Sequence, residues 1–297
     1  DGDAAYDEVL ELDLSRLEPL VACPSSPDNV CRVAEIQGTE IGQVVIGSCT
    51  NSSLKDLKLV AYLLEKKHIP ANVSLAISPG SRQVLQMLTE EGDLSAIIAA
   101  GARVLESACG PCIGQGLSPA ESEATLRTFN RNFAGRTGTP GDMCYLASVE
   151  TAVATALSGK ITDPRELDVE CPRWNLPERF HCDDSMIVPP PAEGHTGIIR
   201  KSPIGAPPEA QPFPRAFEGE VLIKVGDKIT TDHIMPAGAF LKLRSNIPEY
   251  AKVVFNAFND PGEPTFAEHA LAKKQQGRHG VIVAWESYGQ GSSREHT

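Results

Sequence analysis

Three cysteines carry the clearest chemical signal in this chain of 297 residues. Cys49 lies in Ile46-Gly47-Ser48-Cys49-Thr50-Asn51-Ser52-Ser53, and Cys109-Gly110-Pro111-Cys112 follows sixty residues later. Each stretch is expected just after a β-strand, so three thiolates converge on one edge of one sheet. Thiolates hold iron–sulfur clusters or zinc, and a closed site uses four of them. Three leave one metal position open, as Lewis-acid catalysis requires if a substrate oxygen is to reach the metal. Two other readings stay open at this point. Cys-Gly-Pro-Cys is also the redox tetrapeptide of thioredoxins, although Ser107-Ala108 precede it here in place of Trp. A structural zinc would recruit Cys144 as a fourth ligand. Cys23, Cys31, Cys171 and Cys182 read as buried or incidental thiols.

Two arginines stand five apart in Asn130-Arg131-Asn132-Phe133-Ala134-Gly135-Arg136. Guanidinium groups grip carboxylates through paired hydrogen bonds, so the stretch suits a clamp for a multiply charged acid, against the simpler alternative of a solvated loop. Near the end of the sequence, Gly291-Ser292-Ser293-Arg294-Glu295 follows an expected strand. Ser292 with Glu295 fits a helix capping box, and the same helix start would stabilise negative charge on a serine oxygen or a bound carboxylate. Asp232 and His233 are neighbours in an expected extended segment, where side chains point to opposite sides, so a structural role is favoured over an acid–base pair. Arg244 carries no message of its own.

The elements that must position these residues alternate between strand and helix. Gln43–Gly47 is a β-branched run, and residues 53–67 show helical apolar spacing at Leu54, Leu57, Val60, Ala61 and Leu64. A strand over 73–77, a turn and cap at Gly80-Ser81, helices over 83–91 and 93–100, a strand over 102–106 and a helix over 149–157 complete the pattern. Such alternation predicts an α/β fold, a three-layer domain around a mainly parallel sheet, with ligands where strand ends meet loops. Residues 187–214 are rich in proline and read as a stiff linker. Strands over 219–224 and 281–285 and a helix over 265–275 then predict a second α/β domain. The expected organisation is 1–190, an α/β domain that carries the three cysteines; 191–215, a proline-rich linker; and 216–297, a truncated second domain.

Composition narrows the function classes. With 41% hydrophobic and 22% charged residues the chain has the make-up of a globular protein. Its 39 acidic and 27 basic side chains leave a net charge of −12, which disfavours general binding to nucleic acid. No apolar run reaches the ~18 residues of a membrane helix, and residues 1–11 are acidic where a secretory signal would be basic. The expectation is a protein with no membrane partner, cytoplasmic or, in a eukaryote, in the mitochondrial matrix, with reduced thiols.

Taken in order, the motifs resemble the aconitase family. Residues 46–53 resemble its first cluster-ligand signature, and 107–115 the second in its Ala-Cys-Gly-Pro-Cys-Ile-Gly form. Residues 129–138 resemble its Asn-Arg-Asn-Phe-x-Gly-Arg segment and 145–157 its Tyr-Leu-Ala-Ser helix. Thr230–Ala237, Arg244 and Gly291–His296 resemble its swivel domain. The resemblance implies that Cys49, Cys109 and Cys112 hold a [4Fe-4S] cluster with Asn130 beside it. It further implies that Arg131, Arg136, Arg244, Ser293 and Arg294 bind substrate carboxylates and that Ser292 is the catalytic base. The implied reaction is hydro-lyase chemistry on a tricarboxylic acid, interconverting citrate and isocitrate through cis-aconitate. Homocitrate or isopropylmalate is the alternative within the family, and a Cys-x-x-Cys thiol redox protein the alternative outside it. A cluster-free RNA-binding role, known in one branch, would need a basic face. The resemblance also implies N-terminal domains upstream of residue 1 that supply the proton donor, so the chain is expected to be the C-terminal part of a longer enzyme.

Overall fold

Strict alternation along the central strands explains how one short sheet buries both of its faces. In the computed structural model Val44 and Ile46 pack into one apolar cluster with Leu75 and Ile77 of the next strand, whereas Val45 and Ala76 pack into a second cluster. Successive side chains of a strand point to opposite faces, so each strand feeds both clusters. The structure describes residues 3–170, 172, 176–194, 197, 204–206, 209, 212, 215–216 and 218–291. They form two compact units, 1–187 and 188–297.

The first unit is built on β1 (Leu20–Ala22), β2 (Val30–Arg32), β3 (Gln43–Gly47), β4 (Ser74–Ser78), β5 (Arg103–Val104), β6 (Ala124–Arg127) and β7 (Met143–Leu146), in the order β2-β1-β7-β6-β3-β4-β5. The five strands from β7 to β5 run parallel, and β1 and β2 add an antiparallel hairpin at one edge. The helices are α1 (Leu54–Leu64), α2 (Arg82–Glu90), α3 (Asp93–Ala99) and α4 (Val149–Ser158). Serines start three of them. Ser53 caps α1 through a reciprocal box with Asp56, and Ser81 and Ser148 accept from the third residues of α2 and α4.

The fold is α/β, and its strand–helix alternation from residue 43 onward follows the expected pattern. The third layer has a different material from the first. Leu57, Val60, Leu64, Leu88, Ile97, Val149 and Val153 cover one face with helices. On the other face Cys112, Leu117 and Phe129 belong to loops and a single 3-10 turn, Pro111–Ile113. Four features depart from expectation. The strand near 103 has two residues, while β6, β7 and the β1–β2 hairpin have no counterpart in the sequence pattern, being three or four residues long.

The second unit holds β8 (Gly219–Lys224) and β9 (His279–Val283), which pair in parallel, with α5 (Thr231–Ile234), α6 (Ile247–Tyr250) and α7 (Phe266–Gln275) between them. Its core gathers Val225, Ile229, Ile234, Met235, Tyr250 and Phe255. The segment around Asp232 and His233 is a helical turn, in place of the expected extended chain. His233 closes a capping box, its Nδ1 accepting from the Thr230 backbone N–H at 3.0 Å. The capping box gives His233 a structural contact in a helical geometry. Among the described residues no helix is long and apolar enough to cross a membrane.

Candidate active site

Parallel strands bring their carboxyl ends to one edge, and here that edge carries the residues of three motifs. Cys49 stands two residues beyond β3, Cys109 and Cys112 follow β5, and Asn130, Arg131 and Arg136 follow β6. Cys49 and Cys109 are exposed and Cys112 is buried. Asn130 is exposed and Arg131 half-buried at the same edge.

The Cys49 loop is shaped by close backbone packing. Gly47 has φ +126°, and a Cβ placed there would fall 2.0 Å from the Ser78 carbonyl oxygen, so glycine is required if β3 and β4 are to end side by side. Its N–H donates to Thr128 Oγ1 at 2.9 Å, and the Ser48 N–H donates to the Ser78 carbonyl at 3.0 Å. Ser48 follows in the left-handed region with φ 65°. Asn51 Nδ2 donates to the Thr128 carbonyl, and Ser52 Oγ to the carbonyl of Ser48. The loop then runs straight into the Ser53 cap of α1.

Two arginines shape the Cys109–Cys112 loop. Arg136 is 7% exposed, and its Nε donates to the Cys112 carbonyl at 3.0 Å while Nη2 reaches Cys112 Sγ at 3.4 Å. The guanidinium is thus buried and turned onto the thiol loop, a contact that the expected role in binding a substrate carboxylate did not include. Arg127 is 1% exposed. Its Nη1 donates to the Pro111 carbonyl, Nη2 donates to Gln43 Oε1 at 3.2 Å, and its guanidinium carbon lies 5.6 Å from the centre of the Phe129 ring. Burial lowers the Arg127 pKa from its ordinary value, and Cys144, Cys112 and Asp142 pull it back toward the charged form.

A third loop braces the second. Asp142 accepts from the Gly135 N–H at 2.8 Å, from the Thr137 N–H at 3.1 Å and from the Thr137 hydroxyl at 2.6 Å. Gly114, at φ +78°, packs so closely that a Cβ would stand 2.1 Å from the Thr137 carbonyl oxygen. Asn132 is 1% exposed, and its Nδ2 donates both to the Cys23 carbonyl at 2.8 Å and to the Cys144 carbonyl at 3.0 Å. Cys144 lies in the second apolar cluster, where burial pushes its thiol up to about 12.

The donor set fits a group bound by three thiolates. Two guanidinium groups stand beside Cys112, where they would offset thiolate charge, and Ser48 Oγ and Arg127 Nε are buried polar atoms with no hydrogen-bond partner. Among the described residues no three His, Cys, Asp or Glu side chains are gathered as they would be around a single metal ion. Arg244 is exposed and belongs to the second unit. Ser292, Ser293 and Arg294 lie outside the described residues, as does Cys171. Sequence reasoning missed Arg127, Thr128 and Asp142. One signal for Arg127 was present: a lone charge in the otherwise apolar and β-branched run Leu126-Arg127-Thr128-Phe129.

Residues 32–159 match the model of the aconitase family (aconitate hydratase), a stretch that holds Cys49, Cys109, Cys112, Asn130, Arg131 and Arg136. The chain is 47% identical over 166 residues to 3-isopropylmalate dehydratase large subunit 1 of Methanopyrus kandleri, covering 56% of this chain and 40% of that protein. It is 42% identical over 168 residues to large subunit 2 of the same enzyme from Archaeoglobus fulgidus, with the same coverage of each. With the large subunit from a Sulfurihydrogenibium species the figures are 44% over 168 residues, 56% of this chain and 39% of that protein. The chain thus spans about two-fifths of the length of the relatives it matches.

Proposed function

Residues 32–159 match the model of the aconitase family, and from that premise we propose that the intact protein containing this chain is a hydro-lyase acting on an acid of the 3-isopropylmalate class. Three relatives at 42–47% identity bear that enzyme's name, which favours the isopropylmalate alternative over the citrate and isocitrate reading. The observation that carries the proposal is that Cys49, Cys109 and Cys112 follow the carboxyl ends of β3 and β5 within the stretch that matches the family model.

Cys49, Cys109 and Cys112 would hold a [4Fe-4S] cluster. When bound, such a cluster supplies an open, Lewis-acidic iron for the leaving hydroxyl. Arg136 and Arg127 fix the Pro111–Cys112 backbone from below and lower the cost of concentrating thiolate charge there. Arg131, half-buried at the same edge, is assigned to a substrate carboxylate, together with Arg244, Ser293 and Arg294. Ser292 is assigned to remove the carbon-bound proton, the step for which a serine at a helix start has its hydroxyl assisted. The proton donor and a small subunit, as the large-subunit names of the relatives suggest, would come from outside this chain.

The test uses the intact protein with its candidate small subunit, supplied anaerobically with iron and sulfide. A brown chromophore is expected, and Cys49→Ser, Cys109→Ser or Cys112→Ser should each abolish it. Formation of the unsaturated product, followed by ultraviolet absorbance, should show kcat/KM for 3-isopropylmalate at least about tenfold above that for citrate or homocitrate, the size of effect one mismatched group produces. Faster turnover of citrate would overturn the substrate assignment. Full colour in Cys49→Ser would overturn the ligand set.

A further inference from the structure

Outside the proposed site, one pair of thiols is already in contact. Cys23 Sγ and Cys31 Sγ lie 3.4 Å apart, both half-buried. Among the described residues no other two thiols come within hydrogen-bonding distance, Cys109 and Cys112 included. The pair is set by the β1–β2 hairpin, whose register opposes Val21 to Cys31 and Ala22 to Val30, and the Cys23 N–H donates across the turn to the Asn29 carbonyl at 2.8 Å. Cys23 and Cys31 are therefore diagonal neighbours on one face of a short antiparallel ribbon, a position from which side chains reach each other directly.

We propose that Cys23 and Cys31 form a reversible redox pair, converted to an intramolecular disulfide by exchange with a small-molecule disulfide of the glutathione type, and that the conversion is felt by the loop from Asn130 to Arg136. One thiolate attacks the small disulfide, breaking its S–S bond, releasing one small thiolate and leaving a mixed disulfide on the protein. The second protein thiolate attacks that protein sulfur and expels the other small thiolate. Two protein thiols and one disulfide become one protein disulfide and two small thiols. The two electrons pass to the small disulfide, and the two protons from the protein end on its thiols. The sulfurs must close from 3.4 Å to ~2.05 Å, a movement the two side chains can share.

The link to the loop is drawn by three contacts. The Cys23 carbonyl accepts from Asn132 Nδ2 at 2.8 Å, the same amide donates to the Cys144 carbonyl at 3.0 Å, and Ser25 bridges to Phe133. Pulling Cys23 toward Cys31 shifts the carbonyl that Asn132 holds, and Asn132 lies between Arg131 and Arg136. Burial, followed by the hydrogen bond with Cys31, pushes the Cys23 thiol up to about 11, which slows the first attack without setting the equilibrium between the thiols and the disulfide. Neither cysteine belongs to the proposed cluster ligands, so the inference stands or falls apart from iron binding.

The pairing is tested on the wild-type chain and the coupling with two single variants. The full 297-residue chain is equilibrated anaerobically over a series of oxidised-to-reduced glutathione ratios, quenched in acid, alkylated and digested with trypsin; residues 17–32 form one tryptic peptide containing both cysteines. That peptide should lose two hydrogen masses and escape alkylation at a ratio about tenfold lower than any other two cysteines need, and a dithiol should reverse it. Cys23→Ser and Cys31→Ser should each carry one glutathione on the remaining thiol. Oxidation should change amide exchange across residues 130–136 in the wild type and leave it unchanged in either variant. A peptide 17–32 that stays fully alkylated while other cysteines oxidise, or takes up two glutathiones, overturns the pair. A bridged peptide with unchanged exchange at 130–136 overturns the coupling.

Discussion

The two loops that bring thiols to the carboxyl edge are held by opposite means. Around Cys49 the chain is fixed by proximity: a glycine lets β3 and β4 close up, a threonine hydroxyl receives the Gly47 N–H, and a serine hands the loop to a helix. Around Cys112 it is fixed by buried charge, with Arg127 on the Pro111 carbonyl and Arg136 on the carbonyl and thiol of Cys112. The difference follows from what each loop lies against. The first sits between two parallel strands whose backbone groups are near at hand. The second covers a sheet face with no α-helix over it among the described residues, so its carbonyls need long side chains to reach them. A loop held by proximity should fail through steric change, and a loop held by charge through loss of donors.

Gly47→Ala should break the comparison most severely. The added Cβ meets a backbone oxygen at 2.0 Å at a φ of +126°, and nothing flexible can yield, so a loss of at least ~3 kcal/mol is expected in a urea titration of the chain. Near-wild-type stability would mean that the strands can part there without cost. Arg136→Met should act next, by ~2–3 kcal/mol, since a charge-assisted donor is removed from a buried carbonyl. Its effect should be local. Amide exchange should rise over 109–115 with residues 47–53 unchanged, and Cys112 should alkylate at least about tenfold faster.

Thr128→Val would sharpen the other side of the comparison. It removes the acceptor of the Gly47 N–H, a loss of ~1 kcal/mol, and exchange should rise at 47–53 while 109–115 stays protected. Equal effects on both loops would mean that the edge behaves as one unit. The smallest effect near neutrality is the pH dependence set by Cys144. Its folded thiol stays protonated up to about 12, whereas an unfolded thiol ionises near 9.0. The folded state therefore binds the extra proton between those values, and stability should be unaffected below pH 9 and fall as pH rises above it. Cys144→Ala should flatten that alkaline slope; an unchanged slope would place the titration elsewhere.

Much of this was legible in the residues. The run Gln43–Gly47, the apolar spacing from residue 53, and helices near 83, 93 and 149 all followed from local periodicity, because each element carries its own stop and start signals. Strand β6 escaped because it ends in an arginine, and a buried arginine makes sense only once the Pro111 carbonyl and Gln43 are known to lie beside it. Arg136 was visible as a cation in a glycine-rich loop, but its direction, toward Cys112, depends on the three contacts through which Asp142 folds that loop back. Cys23 and Cys31 looked incidental for a similar reason: eight residues apart, they meet only through a hairpin whose strands are three residues each. Chemistry that depends on residue type was readable, and chemistry that depends on long-range packing was not.

The placement of that hairpin also bears on how the molecule is made. β1 and β2 can pair as soon as residue 32 has emerged, but β1 joins the sheet through β7, with Ala22 facing Leu146. During synthesis from the N-terminus, at ~5–20 residues per second, the partner strand arrives ~6–23 s after the hairpin is complete. Throughout that interval one edge of β1 offers unpaired backbone groups to any other extended chain. A ribosome-bound intermediate of this protein is thus most exposed to mispairing before residue 146 appears. A pause in translation just upstream of β7 would lengthen the exposure, and one placed after it would not.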